Sequence, residues 1–95
     1  MEITTKIDYQ TAIMESMKLL EGPMTDQNVR CVVMPVKDNT RFNLFMFGDI
    51  DGEDVLAKPI IVSLKDGRIK IEKNNTDLDL RAELLKRGVV EEDIL

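Results

Sequence analysis

Four carboxylates crowd into six positions of this 95-residue chain, at Asp49, Asp51, Glu53 and Asp54. Oxygen ligands spaced like this suit a hard cation such as Ca²⁺ or Mg²⁺, and a metal-assisted enzyme would have to use them. They do not fit the calcium-loop template. Gly52 stands fourth counting from Asp49, where the loop needs glycine sixth, and the twelfth position is Ile60 rather than a bidentate Glu. Acid–base work by a carboxylate pair also needs a pocket that drives one pKa upward, which a hairpin tip does not supply. The cluster reads as a solvated tip, and no metal or catalytic residue is assigned to it.

Cys31 is the single thiol, and the chain has no histidine. That combination removes internal disulfides, zinc sites built on paired Cys, His-ligated metals, the Cys-His dyad and the Ser-His-Asp triad. Cys31 alternates with strand residues and has no imidazole to lower its pKa, so it reads as a small core side chain. Gly48, Gly52 and Gly67 belong to separate turns and form no phosphate loop. No cofactor is expected.

What remains is charge and apolar surface. Lys65, Arg68, Lys70 and Lys73 make the best basic patch and are the candidate nucleic-acid or partner face. The whole chain works against them, because 13 Lys plus Arg face 18 Asp plus Glu, a net charge of -5 that repels phosphate at a distance. Tyr9 and three Phe are also a small stock of stacking surface. Phe45 and Phe47 lie opposite the Phe42 face of their strand and leave apolar surface over, so they form the candidate oligomer face, for a dimer or higher assembly. The six methionines are flexible core filling, with Met14 off its helix's main stripe.

These residues must be positioned by a few elements. Tyr9, Ile13, Met17 and Leu20 recur at helical spacing, so a helix follows Asp8 as its cap and ends at Gly22-Pro23. Asn28 to Pro35 is a β-branched strand. After the turn Lys37-Asp38-Asn39-Thr40, a second strand over Arg41 to Phe47 sets Phe42, Leu44 and Met46 against Asn43, Phe45 and Phe47. A third runs from Val55 to Leu64, where Pro59 marks an edge or a bulge. Asp66-Gly67 is a two-residue type I′ hairpin turn flanked by Lys65 and Arg68. Counting from it puts Leu64 opposite Ile69 and Val62 opposite Ile71 on the core face, with Ser63 opposite Lys70 and Ile61 opposite Glu72 on the other. Thr76 is the expected cap of a second helix whose stripe is Leu78, Ala82 and Leu85 with Leu80 and Leu84 beside it. Gly88 follows as the glycine past its end. Ile94-Leu95 is expected to dock on the body or on a partner.

The pattern is α+β: an N-terminal helix, a four-stranded antiparallel meander and a C-terminal helix packed on one face of the sheet. The length allows a single domain over residues 1–95, with little stability to spare. An apolar fraction of 43% with 33% charged residues describes a globular protein rather than a disordered one. No apolar run approaches the ~20 residues that span a bilayer, and the start has no cleavable apolar core, so a cytoplasmic protein is expected.

The order of motifs resembles the XisI family, named for controlling excision of the fdxN DNA element in cyanobacteria. The residues that carry the resemblance begin with Tyr9, Asp38-Asn39-Thr40-Arg41-Phe42-Asn43-Leu44 and Gly48. The run from Ile60 to Glu72 through Asp66-Gly67 follows, then Thr76, Ala82-Glu83-Leu84-Leu85, Gly88-Val89 and Glu92-Asp93-Ile94. Family members usually carry Trp where this chain has Asp49 and Lys70, and Asp-Gly-Thr where it has Asn74-Asn75-Thr76. They also continue past the Asp-Ile dipeptide with an apolar, proline-containing tail. The lost aromatics bear on any shared binding surface and leave the fold unaffected. The resemblance implies the sheet-plus-helix fold and a non-enzymatic regulator of DNA rearrangement acting through a recombinase or a nuclease-like XisH-type partner. It supplies no catalytic residues. A direct DNA-binding module using the basic hairpin is the alternative.

Overall fold

The computed structural model describes residues 8–23 and 28–95. Helix α1 spans Tyr9–Lys18 and starts where expected, because the Asp8 carboxylate accepts hydrogen bonds from Gln10 N and Thr11 Oγ1, both at 3.0 Å. Its inward side is Ala12, Ile13, Ser16 and Met17, all buried. Ser16 is tolerated there because its hydroxyl donates to the Ala12 carbonyl at 2.7 Å. Met14 packs against the same core, so it contributes no surplus surface.

Five antiparallel strands follow in a simple meander, one more than the sequence pattern gave: β1 Gly22–Pro23, β2 Asn28–Val36, β3 Arg41–Ile50, β4 Glu53–Lys65 and β5 Arg68–Asn74. The extra strand is the Gly-Pro pair that stops α1. Two residues long, it also pairs with Cys31 and Arg30 at the sheet edge, where the missing proline N–H costs nothing. Strands β3 and β4 reach further into the acidic tip than expected. Only Asp51 and Gly52 turn, both at positive φ, the same Asp-Gly chemistry as Asp66 and Gly67.

The hairpin register of β4 and β5 is as counted from Lys65–Arg68 to Val62–Ile71, and there it slips. Ile61 pairs with Lys73 rather than Glu72, so Glu72 is the extra residue of a β-bulge. A second slip sits around Pro59, between the Leu44–Ile60 and Met46–Ala57 pairs, which makes Pro59 a bulge residue in a central strand and not an edge marker.

Helix α2 is shorter than its sequence pattern, Leu80–Lys86, and Asp79 caps it by accepting from Ala82 N at 3.0 Å. Thr76 is not the cap. Its hydroxyl donates to Asn74 Oδ1 at 2.6 Å and accepts from Leu78 N at 3.2 Å, which holds the approach loop instead. Starting the helix three residues later turns its face, so Leu80 and Leu84 are buried while Ala82 and Leu85 are exposed. Gly88 follows at positive φ, and Val89 is buried beyond it.

Both helices cover one face of the sheet. The core there joins Ile13, Met17, Cys31, Val33, Phe42, Leu44, Ile60, Val62, Ile69, Leu80, Leu84, Val89 and Ile94. The end of the chain docks on the body: Ile94 is buried, pairs in parallel with Ile69, and places Leu95 N 2.7 Å from the Ile69 carbonyl. Tyr9 Oη donates to Asp93 at 2.6 Å and ties α1 to this last turn. At the opposite edge, Glu21 accepts the Val33 N–H at 2.9 Å, and Pro35 offers no N–H, so β2 is poorly suited to recruit another strand. The described residues measure 59 × 23 × 20 Å with a radius of gyration of 14.9 Å, above the ~12 Å of a compact chain this long. No helix among them is long and apolar enough to cross a membrane.

Gly48 leaves no room for a side chain. It has φ +149° opposite Val29, and a β-carbon there would collide with the Asn28 carbonyl oxygen and stand 2.7 Å from Val29 Cα. Both obstacles are backbone. Gly48→Ala is therefore expected to cost about 2–4 kcal/mol, read as a melting temperature lower by roughly 10 °C or more.

Candidate functional site

The face of the sheet that the helices leave open holds most of the residues singled out above. Arg30, Val32 and Met34 of β2 lie beside Phe47, Phe45 and Asn43 of β3, and these lie beside Leu56 and Ile61 of β4. The apolar members form one band across three strands. Leu56 is 76% exposed, Met34 46% and Phe47 39%, while Val32, Phe45 and Ile61 are half-buried among their neighbours. Lys58 Nζ stands 5.6 Å from the centre of the Phe45 ring, a cation over a π face.

One end of this face is basic. Lys65, Arg68 and Lys70 line a single depression with Ser63, Asp66, Glu72 and Leu95, and the three cations stand on one side as the alternation predicts. Lys73 does not join them. The Glu72 bulge shifts it, and it lines a separate cleft on the helix side with Leu20, Cys31, Leu44, Met46 and Pro59. The bulge also aims Glu72 at the patch. Its carboxylate accepts from Ser63 Oγ and from Arg41 at 3.1 Å, and these two hydrogen bonds, in that order, hold it below the usual carboxylate range. Arg41, placed at the start of its strand but not in the basic patch by the sequence, thus belongs to the basic end; its position directly opposite Ser63 is what could have revealed it.

The other end is acidic. Asp49 pairs with Asp54, and both share a shallow depression with Arg30 and Phe47. Asp49 Oδ1 accepts from Gly52 N at 2.7 Å, which spends that carboxylate on the turn. Among the described residues, no three of Asp, Glu, Cys or His stand close enough to hold a metal ion.

Burial pushes the Cys31 thiol up, so it stays protonated at neutral pH and behaves as a core side chain. Between the two ends, Asn43 is 5% exposed with its Oδ1 lacking a hydrogen-bond partner, and Arg41 Nε likewise lacks one. What this face can do chemically is bind, through an apolar centre bounded by opposite charges.

A family profile described as XisI protein matches residues 2–95. No curated protein matches the chain in sequence. Among solved structures, the fdxN element excision controlling factor XisI from Anabaena variabilis superposes with a TM-score of 0.65 at 19% identity, covering 92% of this chain and 86% of that one. A XisI-like protein from the same organism gives 0.69 at 22% identity, covering 90% and 76%. Both carry the same sheet-plus-helix fold.

The lowered pKa of Glu72 has a sign. A carboxylate depressed in the fold contributes stability above its unfolded pKa of about 4.3 and loses it as pH falls through the lower folded value. Glu72→Gln removes that titration. The variant is expected to melt a few degrees lower at pH 7 and to show a flatter fall in melting temperature between pH 5 and pH 3 than the parent, read by circular dichroism across the series.

Proposed function

The chain belongs to the XisI family, and from that we propose that it is a non-enzymatic regulator of DNA rearrangement in the cytoplasm, acting by contact with a partner that handles DNA. What carries this reading is the match to that family along residues 2–95. A relative in fold, the Anabaena variabilis protein, is named an excision controlling factor. The binding face described above, with its apolar band and charged ends, supports an interaction protein over a catalyst.

The partner we infer is a nuclease-fold protein of the XisH type, or the recombinase it serves. A protein that grips DNA must present a basic surface, and an acidic chain is suited to cover one. Glu91 and Glu92, both exposed in the turn that follows α2, supply acid on the helix-bearing side. Co-expression with an XisH-type protein from the same genome, followed by size exclusion with light scattering, tests this. A joint peak that Glu91→Lys with Glu92→Lys abolishes is the expected result, and separate elution of the parent protein refutes the partner.

A second reading is favoured by one observation: Lys65, Arg68 and Lys70 share a depression with Arg41 close by. Direct DNA binding through this end would be electrostatic, so affinity should fall steeply with salt, and reversing Lys65 and Arg68 should lower the salt slope by about 2. Fluorescence anisotropy with duplex DNA from 50 to 200 mM salt measures it (about a tenfold to thousandfold loss for a few phosphate contacts). Binding that is indifferent to salt would sink this reading.

A further inference from the structure

We propose that the open sheet face is the seat of a two-fold homodimer in which the acidic tip of each copy lies over the basic hairpin of the other. This goes beyond the regulatory reading and does not rest on it. The face carries three zones in order along β3 and β4. Asp49, Asp51 and Asp54, with Arg30 beside them, lie at one end; Phe47, Leu56, Val32, Phe45, Met34 and Ile61 occupy the middle; Arg41, Lys65, Arg68 and Lys70, outnumbering Asp66 and Glu72, lie at the other.

A two-fold axis through the middle of such a surface turns each end onto its opposite. Phe45 is the pivot, since it lies about halfway along β3 from Arg41 to Asp49. Rotation about it brings Phe45 to its own copy, sets Phe47 and Leu56 over Met34 and Ile61, and puts the carboxylates of the tip over the cations of the hairpin. An isologous interface requires this self-complementarity, and a single-sign face could not provide it. The sheets would stack about 10 Å apart at about 30°, an angle that keeps tip over hairpin. The acidic tip would repel phosphate, so the face as a whole fits a second copy better than it fits nucleic acid.

The area is adequate. From Asp54 to Lys65 the face is about 36 Å long, and it is three to four strands, about 14–19 Å, wide. Two such patches bury roughly 1,000–1,400 Å², where specific interfaces begin.

The test is sedimentation equilibrium of the full chain at several concentrations, in low and high salt. The parent should be a dimer, and Phe47→Asp, at an exposed position, should weaken it at least tenfold. Two charge variants then discriminate. Asp51→Lys with Asp54→Lys turns the acidic end basic, and Lys65→Glu with Arg68→Glu turns the net charge of the basic end, counted with Asp66 and Glu72, acidic, so each alone should be monomeric where the parent is dimeric. Mixed together they should form a heterodimer, because every facing pair of ends is again opposite in charge. All substituted positions are exposed, and circular dichroism melts confirm folding.

A parent that is monomeric at every concentration overturns the proposal. So does a dimer that ignores Phe47→Asp, or charge variants whose mixture stays apart. If the monomeric parent instead co-elutes with an XisH-type protein and Phe47→Asp abolishes that peak, the face belongs to the partner and the homodimer is refuted. A salt-sensitive dimer with no XisH-type complex would leave this inference standing while the regulatory partner fell.

Discussion

Antiparallel pairing joins the five strands between Gly22 and Asn74, and a sheet made this way has two faces while the described residues have helices for one. Strand β4 alone is 13 residues, about 43 Å long. The helices of 10 and 7 residues span about 15 and 10 Å. Short rods laid on a long ribbon cover only part of one side. The elongated shape, the exposed tip and the apolar band on the far face are all consequences of that mismatch. The bulges at Pro59 and Glu72 act within it: they let so long a strand bend and twist while keeping Ile60, Val62 and Leu64 on the covered side.

The parts of the fold legible in the sequence were those fixed by neighbours in the chain. Asp66-Gly67 determines its own turn, and the alternation beside it determines four successive pairs. The same dipeptide at Asp51-Gly52 was masked by the surrounding carboxylates, which made a two-residue turn look like a long polar loop. Glu72 was misplaced because a bulge is decided across strands, by the hydrogen bonds that Ser63 and Arg41 make to it. The competition between Thr76 and Asp79 to cap α2 was also decided outside the helix, by Asn74 holding Thr76 in the loop. Leu80 and Leu84 then became the buried pair.

The open face of the sheet was half legible. Charge and aromatic residues could each be picked out, yet alternation within one strand does not say which side of it coincides with a given side of the next. The three-stranded register is what places Phe45, Phe47, Lys65, Arg68 and Lys70 on one surface and removes Lys73 from it. The XisI family match describes the chain as a whole and says nothing of this zoning. It comes from residues such as Asp49 and Lys70, which stand where the resemblance would have put tryptophan.

Tyr9 meets Asp93, and Ile94 fills the core against Ile69, so the first helix and the last turn complete one another across more than eighty residues of sequence. Such contacts cannot form in a partial chain. During synthesis the meander can begin to zip behind the ribosome, but the core stays open until residue 94 has emerged. Until then α1 alone covers one face of the strands, and the other face is bare. The interval between zipping and closure is when this protein is most exposed to chaperones and to sticking to its neighbours, and a mutation at Tyr9 or Ile94 would lengthen it more than one in the hairpin.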